Sequence, residues 1–84
     1  MDNNLAILVV DDELSVRDSL SNWFIEDGYT VDTAEDAKVA IKKIEAFHFH
    51  IILIDIKLPG MDGLELNRRI KAINEDTIVI IMTA

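Results

Sequence analysis

The stretch that most constrains the fold runs from residue 51 to residue 63, with the sequence Ile-Ile-Leu-Ile-Asp-Ile-Lys-Leu-Pro-Gly-Met-Asp-Gly. Four consecutive aliphatic residues precede Asp55, and a turn that contains proline and glycine follows it. An unbroken apolar run of this length predicts a strand buried on both faces, which is typical of a parallel sheet covered by helices. Asp55 would then lie at the carboxyl end of its strand, where open α/β sheets place their ligands.

Similar apolar runs, separated by helical patterns, extend along the rest of the chain. Strands are predicted over residues 5–10, 29–34, 50–55 and 77–83, and helices over residues 14–27, 36–47 and the segment that follows Asp62. The order β-α-β-α-β-α-β predicts an α/β fold with a doubly wound parallel sheet and helices on both faces, because such crossovers are right-handed. The second strand alternates only weakly and is expected at an edge of the sheet.

Residues at the predicted helix ends have local roles. Asp12 is predicted to be the N-cap of the first helix, and Gly28 is expected to end that helix in the left-handed conformation. Asp62 precedes the third helix, with Glu65 three residues further on in capping-box spacing. Because capping accounts for Asp62, no chemistry is assigned to it.

Composition narrows the classes of protein that fit. The chain has 84 residues, enough for one small domain, and a formal net charge of −8. That charge argues against direct contact with nucleic acid or an anionic membrane, since both need basic patches. The sequence has no cysteine, its N-terminus lacks the basic region of a signal peptide, and its apolar runs fall short of the ~20 residues of a membrane helix. A cytoplasmic location is therefore expected.

Two more carboxylates, Asp11 and Asp12, follow the first predicted strand. If that strand neighbours the strand that ends at Asp55, three acids meet at one rim and repel one another, so a cation is needed there. Oxygen ligands favour Mg²⁺ or Mn²⁺ over zinc, and Mg²⁺ usually takes an additional oxygen from a phosphoryl group. Asp55 is then a candidate nucleophile towards phosphorus, and the Thr83 hydroxyl lies where it can donate to a phosphoryl oxygen.

Structural roles compete with this interpretation. Acids after a strand often cap the next helix, and a carboxylate such as Asp55 also forms turns. The combination of three acids with Thr83 at a third strand end favours the metal and phosphoryl hypothesis over these separate roles. His48 and His50 have no evident third ligand, and we expect them to be structural or exposed.

Three segments together resemble the receiver domain of two-component response regulators. They are residues 9–13 (Val-Val-Asp-Asp-Glu), residues 54–63 (Ile-Asp-Ile-Lys-Leu-Pro-Gly-Met-Asp-Gly) and residues 80–84 (Ile-Ile-Met-Thr-Ala). Their order and spacing match the family along the whole chain. The resemblance implies a flavodoxin-like (CheY-like) sheet with the strand order 2-1-3-4.

The resemblance also implies a role for each site residue. Asp55 would accept a phosphoryl group from the phosphohistidine of a histidine kinase, so the chain would be a phosphoacceptor and not an enzyme, with at most self-phosphorylation and self-dephosphorylation in a longer parent. Asp12 and Asp55 would bind Mg²⁺ directly and Asp11 through water, with the main-chain carbonyl of Lys57 as the third protein ligand. Thr83 would be the switch hydroxyl, with Ala84 beside it. An output domain, of the transcriptional kind, would follow in the parent.

The family pattern continues beyond the 84 residues. The resemblance implies that residues 1–84 are an N-terminal fragment that lacks helix four, strand five and helix five, and with them the lysine that ends strand five and pairs with the phosphoryl group. Phosphorylation and switching by the fragment are therefore expected to be impaired. Strand four would be an exposed edge, and the fragment is expected to form a homo-oligomer through it.

Two other functions compete with the phosphoacceptor. One is a receiver-like interaction module that docks partners without being phosphorylated. The other is a Mg²⁺-dependent phosphohydrolase with an aspartyl nucleophile, a class that expects a second Asp two residues after the nucleophile. Lys57 occupies that position, which makes the phosphohydrolase the poorer alternative.

Overall fold

Strands and helices alternate along the chain in a computed structural model that describes residues 5–57 and 61–82. The elements are β1 (Ala6–Val10), α1 (Leu14–Glu26), β2 (Thr30–Ala34), α2 (Ala37–Ala46), β3 (Ile51–Asp55), α3 (Gly63–Ile73) and β4 (Ile78–Met82). Every predicted element is present in the predicted order, and each end that the structure describes lies within one residue of its predicted position. The last residue of the predicted fourth strand, Thr83, lies outside the described part of the chain.

The four strands form one parallel sheet in the order β2-β1-β3-β4, as the sequence predicts. Adjacent strands in sequence are therefore not all adjacent in space, because β1 lies between β2 and β3. This arrangement places the two strands that end in carboxylates side by side. In register, Val10 lies opposite Ile54.

Helices cover both faces of the sheet. On one face, α2 and α3 pack against the inner strands and bury Leu8, Val10, Ile52 and Ile54 completely. On the other face, α1 contributes side chains that pack against Ile7, Val9 and Leu53. The unbroken apolar runs in β1 and β3 arise because both faces of these strands are covered.

Two of the three helix-end predictions are confirmed, and one is wrong. Gly28 has φ of 92°, in the left-handed region, and follows Asp27, the C-cap of α1. An Oδ1 of Asp62 accepts a hydrogen bond from the Glu65 N–H at 2.8 Å, as an N-cap does. The N-cap of α1, however, is Glu13 and not Asp12. The Asp11 carboxylate accepts the Glu13 N–H at 2.9 Å, so the helix begins later than the cap prediction requires.

The two histidines have structural contacts, as expected. Nδ1 of His50 accepts a hydrogen bond from the Ala6 N–H at 3.0 Å, which joins the start of β1 to the segment before β3. His48 is exposed and contacts the side chain of Asn74. Neither belongs to a group of three or more potential metal ligands among the described residues.

Candidate functional site

The carboxylates of Asp11, Asp12 and Asp55 converge at the carboxyl rim of the sheet. Because Val10 pairs with Ile54, Asp11 after β1 and Asp55 at the end of β3 lie side by side. One oxygen from each of the three carboxylates lies within 4.8 Å of the other two. The sequence-based prediction that these acids meet is therefore confirmed by the geometry.

Asp11 is the buried member of the cluster. Its residue is 5% exposed, and its backbone is fixed because its N–H donates to the Ala34 carbonyl at 3.1 Å. Desolvation by burial raises the pKa of the Asp11 carboxyl, and the negative charges of Asp55 and Asp12 raise it further. The hydrogen bond from the Glu13 N–H opposes this rise in pKa. The folded chain therefore disfavours the ionised form of Asp11, and a cation bound beside it would stabilise that form.

Asp12 and Asp55 are the accessible members. Asp12 is exposed and Asp55 is half-buried. The Lys57 N–H donates to Oδ1 of Asp55 at 3.0 Å, so the turn after β3 holds this carboxylate in place. The backbone of Lys57 thus lies beside Asp55, while the metal-ligand role of its carbonyl stays a prediction. Thr83 and Ala84 lie outside the described residues.

No lysine or arginine in the described ranges forms an ion pair with these three acids. The ion pairs present there join Lys43 to Asp32, and Arg68 and Arg69 to Glu65. The charge of the cluster is therefore left for another cation to neutralise. Three carboxylates without sulfur or imidazole ligands fit a hard divalent ion such as Mg²⁺, which prefers oxygen.

Sequence reasoning missed three basic residues around the cluster. The Arg17 guanidinium donates to the main-chain carbonyl of Asp11 at 2.7 Å and so ties α1 to the end of β1. Lys38 and Arg69 line a groove that Asp12 also borders, between α2 and α3. The one signal for Arg17 was its position on the first turns of the helix that follows the acids. Lys38 and Arg69 come from two other elements, and nothing in the sequence pairs them with Asp12.

The raised pKa of Asp11 predicts a measurable effect of pH on stability. Compared with the unfolded state, the folded state favours the protonated form of Asp11. The charge on Asp11 therefore lowers the free energy of unfolding at a pH above the raised pKa, and it has no effect at a pH below the ordinary pKa of 3.8. Asp11→Asn keeps an acceptor for the Glu13 N–H and removes the charge. We expect this variant, in metal-free buffer, to melt several degrees above the parent at neutral pH and to lose that advantage as the pH falls through the raised pKa.

Thermal unfolding in chelator across this pH range checks the prediction. Asp18→Asn, at an exposed position of α1, is the matched control and should leave the melting temperature nearly unchanged at every pH. An Asp11→Asn variant that is less stable than the parent at neutral pH would contradict the electrostatic account.

Comparison with known proteins agrees with the geometry of the site. The model of the family described as the response regulator receiver domain matches residues 7–84. Sporulation initiation phosphotransferase F of Bacillus subtilis is 40% identical over 81 residues, which are 96% of this chain and 65% of that protein. The chain thus spans less than two thirds of the length of this curated relative.

Solved structures show the same fold. The response regulator protein TrrA of Thermotoga maritima, in complex with Mg²⁺-BeF, is 39% identical with a TM-score of 0.89, over 95% of this chain and 70% of that one. The same protein has also been solved in complex with the histidine kinase ThkA. A CheY-like response regulator receiver domain protein of Methanospirillum hungatei has a TM-score of 0.93 at 34% identity, over 96% of this chain and 65% of that one.

The chain belongs to the response regulator receiver domain family, the receiver modules of two-component signal transduction. Its sheet order is the order that the resemblance implies, with α1 on one face and α2 and α3 on the other. No helix in the described part of the chain is long and apolar enough to cross a membrane.

Proposed function

We propose that this chain is a phosphoacceptor module of a cytoplasmic two-component system, in which Asp55 takes a phosphoryl group from the phosphohistidine of a histidine kinase. The observation that carries the proposal is the cluster of three carboxylates within 4.8 Å at the rim of the sheet. Complexes of the relative TrrA with Mg²⁺-BeF and with a histidine kinase support both the metal and the class of donor. Family membership supports a phosphoacceptor over an enzyme that turns over a substrate.

The metal in this proposal is Mg²⁺, with Mn²⁺ as a second ion that fits the same oxygen ligands. Asp12 and Asp55 would hold it directly, Asp11 through water, and the main-chain carbonyl of Lys57 would complete the protein ligands. When bound, the ion neutralises the acids and stabilises the negative charge on the phosphoryl oxygens. The half-buried setting of Asp55 and the exposure of Asp12 leave the site open to a donor.

In the proposed transfer, a carboxylate oxygen of Asp55 attacks phosphorus. An O–P bond forms as the N–P bond of the phosphohistidine breaks, and the electron pair of that bond stays with the imidazole nitrogen, which takes a proton from solvent. The product is an acyl phosphate on Asp55 and a neutral histidine on the donor. The hydrogen bond from the Lys57 N–H to Oδ1 leaves the other oxygen of Asp55 for the attack.

Thr83 and Ala84 have roles in the proposal although they lie outside the described residues. We propose that the Thr83 hydroxyl donates to a phosphoryl oxygen and that the small side chain of Ala84 leaves room for it. In a longer protein, the contact of Thr83 with the phosphoryl group would be the signal to an output domain, which we propose is transcriptional.

Intact mass measurement after incubation with acetyl phosphate and Mg²⁺ tests the proposal. We expect a single phosphoryl adduct that hydroxylamine removes, as it removes acyl phosphates, and that is absent in Asp55→Asn. Asp62→Asn is the matched control, because Asp62 is an exposed carboxylate that caps α3 outside the cluster, and this variant should be modified like the parent. If no adduct forms after long incubation, or if Asp55→Asn is modified equally, the phosphoacceptor role is wrong and the non-phosphorylated interaction module is favoured.

A further inference from the structure

The position of Asp12 in the acid cluster depends on its backbone. Asp12 is the exposed carboxylate of the three, and the ion pairs formed within residues 5–57 and 61–82 do not include it. A metal binds best to ligands that are already held in place, because less conformational freedom is then lost on binding. The two peptide groups that flank Asp12 determine where its carboxylate can reach.

The peptide group after Asp12 is held by the side chain of Asp11. The Glu13 N–H belongs to this peptide group and donates to Oδ1 of Asp11 at 2.9 Å. Asp11 is itself anchored, since it is 5% exposed and its N–H donates to the Ala34 carbonyl, at the end of β2, at 3.1 Å. The chain on this side of Asp12 is thus tied to the sheet.

The peptide group before Asp12 is held by Arg17. The oxygen of this group is the main-chain carbonyl of Asp11, and Nη1 of the Arg17 guanidinium donates a hydrogen bond to it at 2.7 Å. The Arg17 N–H also donates to the Glu13 carbonyl at 3.1 Å, as in a regular helical turn. Arg17 therefore contacts the residue on each side of Asp12, one with its side chain and the other with its main chain.

The choice of a main-chain partner matters for an arginine beside acids. A guanidinium matches the geometry of a carboxylate and readily pairs with one that lies near it. The ion pairs in the part of the chain that the structure describes do not include Arg17, which donates to a carbonyl instead. The carboxylate oxygens of the cluster therefore stay available to a cation, whereas a direct ion pair with Arg17 would occupy them.

We propose that Arg17 is a positioning residue for the divalent cation. Its guanidinium fixes the peptide group before Asp12, while the Asp11 carboxylate fixes the one after it, so that the Asp12 carboxylate faces the ion beside Asp55. This inference rests on the proposed Mg²⁺ site, and it adds a residue that touches neither the ion nor the phosphoryl group.

Loss of Arg17 would have two opposite effects on cation binding. Its positive charge repels a cation, so removal of the charge alone should tighten Mg²⁺ binding. Removal of its hydrogen bond frees the peptide group before Asp12 and should weaken binding, since loss of a group that orients a metal ligand costs roughly 10–100-fold in affinity. We expect the second effect to exceed the first. The sign of the change therefore separates a positioning role from a purely electrostatic one.

Calorimetric titration of the 84-residue chain with Mg²⁺ at constant ionic strength tests the proposal. Arg17→Met and Arg17→Gln both remove the charge and the contact, and we expect Kd to rise about tenfold in each. Arg17→Lys keeps the charge and a long side chain with a donor, and it should bind more tightly than either. Arg68→Met is the matched control, because Arg68 is an arginine of α3 whose side chain is 82% exposed and pairs with Glu65, and it should bind like the parent.

The titrations are made at a temperature at which circular dichroism shows each variant to be folded, so that a loss of stability is kept apart from a loss of affinity. Tighter or unchanged binding in the two variants that remove the contact, or an equal loss in Arg68→Met, would overturn the positioning role alone. A parent that binds no Mg²⁺ would overturn the metal site of the proposed function and this inference with it.

Relaxation of the backbone amides, measured by NMR, adds a readout that a change in overall stability would not move. In metal-free buffer, the order parameters of the Asp12 and Glu13 amides should fall in Arg17→Met, while those in the middle of α1 stay as in the parent. Saturating Mg²⁺ should bring both values back towards those of the parent. Unchanged order parameters at Asp12 and Glu13 would show that Arg17 does not hold this turn, and the proposal would be wrong.

Discussion

Replacing Asp12 with alanine is expected to abolish most of the stabilisation that Mg²⁺ gives to the folded chain. Only the folded state brings the three carboxylates within 4.8 Å, so an ion held at this rim would bind that state and raise its stability. At a Mg²⁺ concentration one hundredfold above Kd, this stabilisation is about 2.7 kcal/mol. For a domain of this size, each 1 kcal/mol corresponds to a shift of roughly 4–8 °C in melting temperature.

The measurement is a thermal melt with and without Mg²⁺. Asp12 suits the test because it is exposed and is not the cap of α1, so its loss should change the metal-free stability little. Asp18→Ala removes the same charge from an exposed position of α1 outside the cluster and should keep the full response to Mg²⁺. An unchanged response in Asp12→Ala, or an equal loss in both variants, would contradict a metal site at this rim.

Most of the fold could be predicted because the strongest patterns in the sequence, the unbroken apolar runs, reflect burial in the folded chain and not only local preference. An unbroken run such as residues 51–54 occurs where a strand is buried on both faces, and this property already requires a parallel sheet with helices. Register and neighbours within the sheet do not follow from the run itself. The strand order came from the family resemblance, and the observed order β2-β1-β3-β4 confirms it. The register, with Val10 opposite Ile54, is known from the structure alone.

The wrong N-cap has a physical reason that bears on the site. The pattern at the start of α1 offered two adjacent aspartates, and sequence preferences favour either as a cap. In the structure, Asp11 accepts the Glu13 N–H, and α1 begins after a Glu13 cap that has no side-chain hydrogen bond to the helix. The Asp12 carboxylate is consequently left for the acid cluster. The turn closed by the Asp11–Glu13 hydrogen bond therefore takes the place of the predicted Asp12 cap.

The acids of the site could be predicted and its basic residues could not. Asp55 is the last residue of β3, and Asp11 and Asp12 are the first two residues after β1, so the topology fixes their position once the strands are neighbours. Arg17, by contrast, reaches the site with a long side chain from a helix, and its contact is with the main-chain carbonyl of Asp11. Such a contact depends on the distance between two elements, which the sequence pattern does not contain.

Shortening a buried side chain of β3, the strand that ends at Asp55, is expected to destabilise the fold strongly. Ile54 is completely buried between Val10 and Ile81 in the sheet, and it directly precedes Asp55. Ile54→Ala removes three carbons and leaves a cavity, which costs about 2–5 kcal/mol in well-packed cores. Domains of this size have a total free energy of unfolding at the low end of roughly 5–15 kcal/mol. We therefore expect a large part of the variant to be unfolded at moderate temperature.

Urea denaturation followed by circular dichroism measures this loss, and Ile25→Ala is the matched control. Ile25 is 55% exposed on α1, so its truncation should change the free energy of unfolding by no more than about 0.5 kcal/mol. In Ile54→Ala, saturating Mg²⁺ should restore part of the folded fraction, because the three carboxylates remain and binding favours the folded state. Equal losses in the two variants would mean that β3 is not the buried centre of the sheet, and the position of Asp55 would then lack its structural basis.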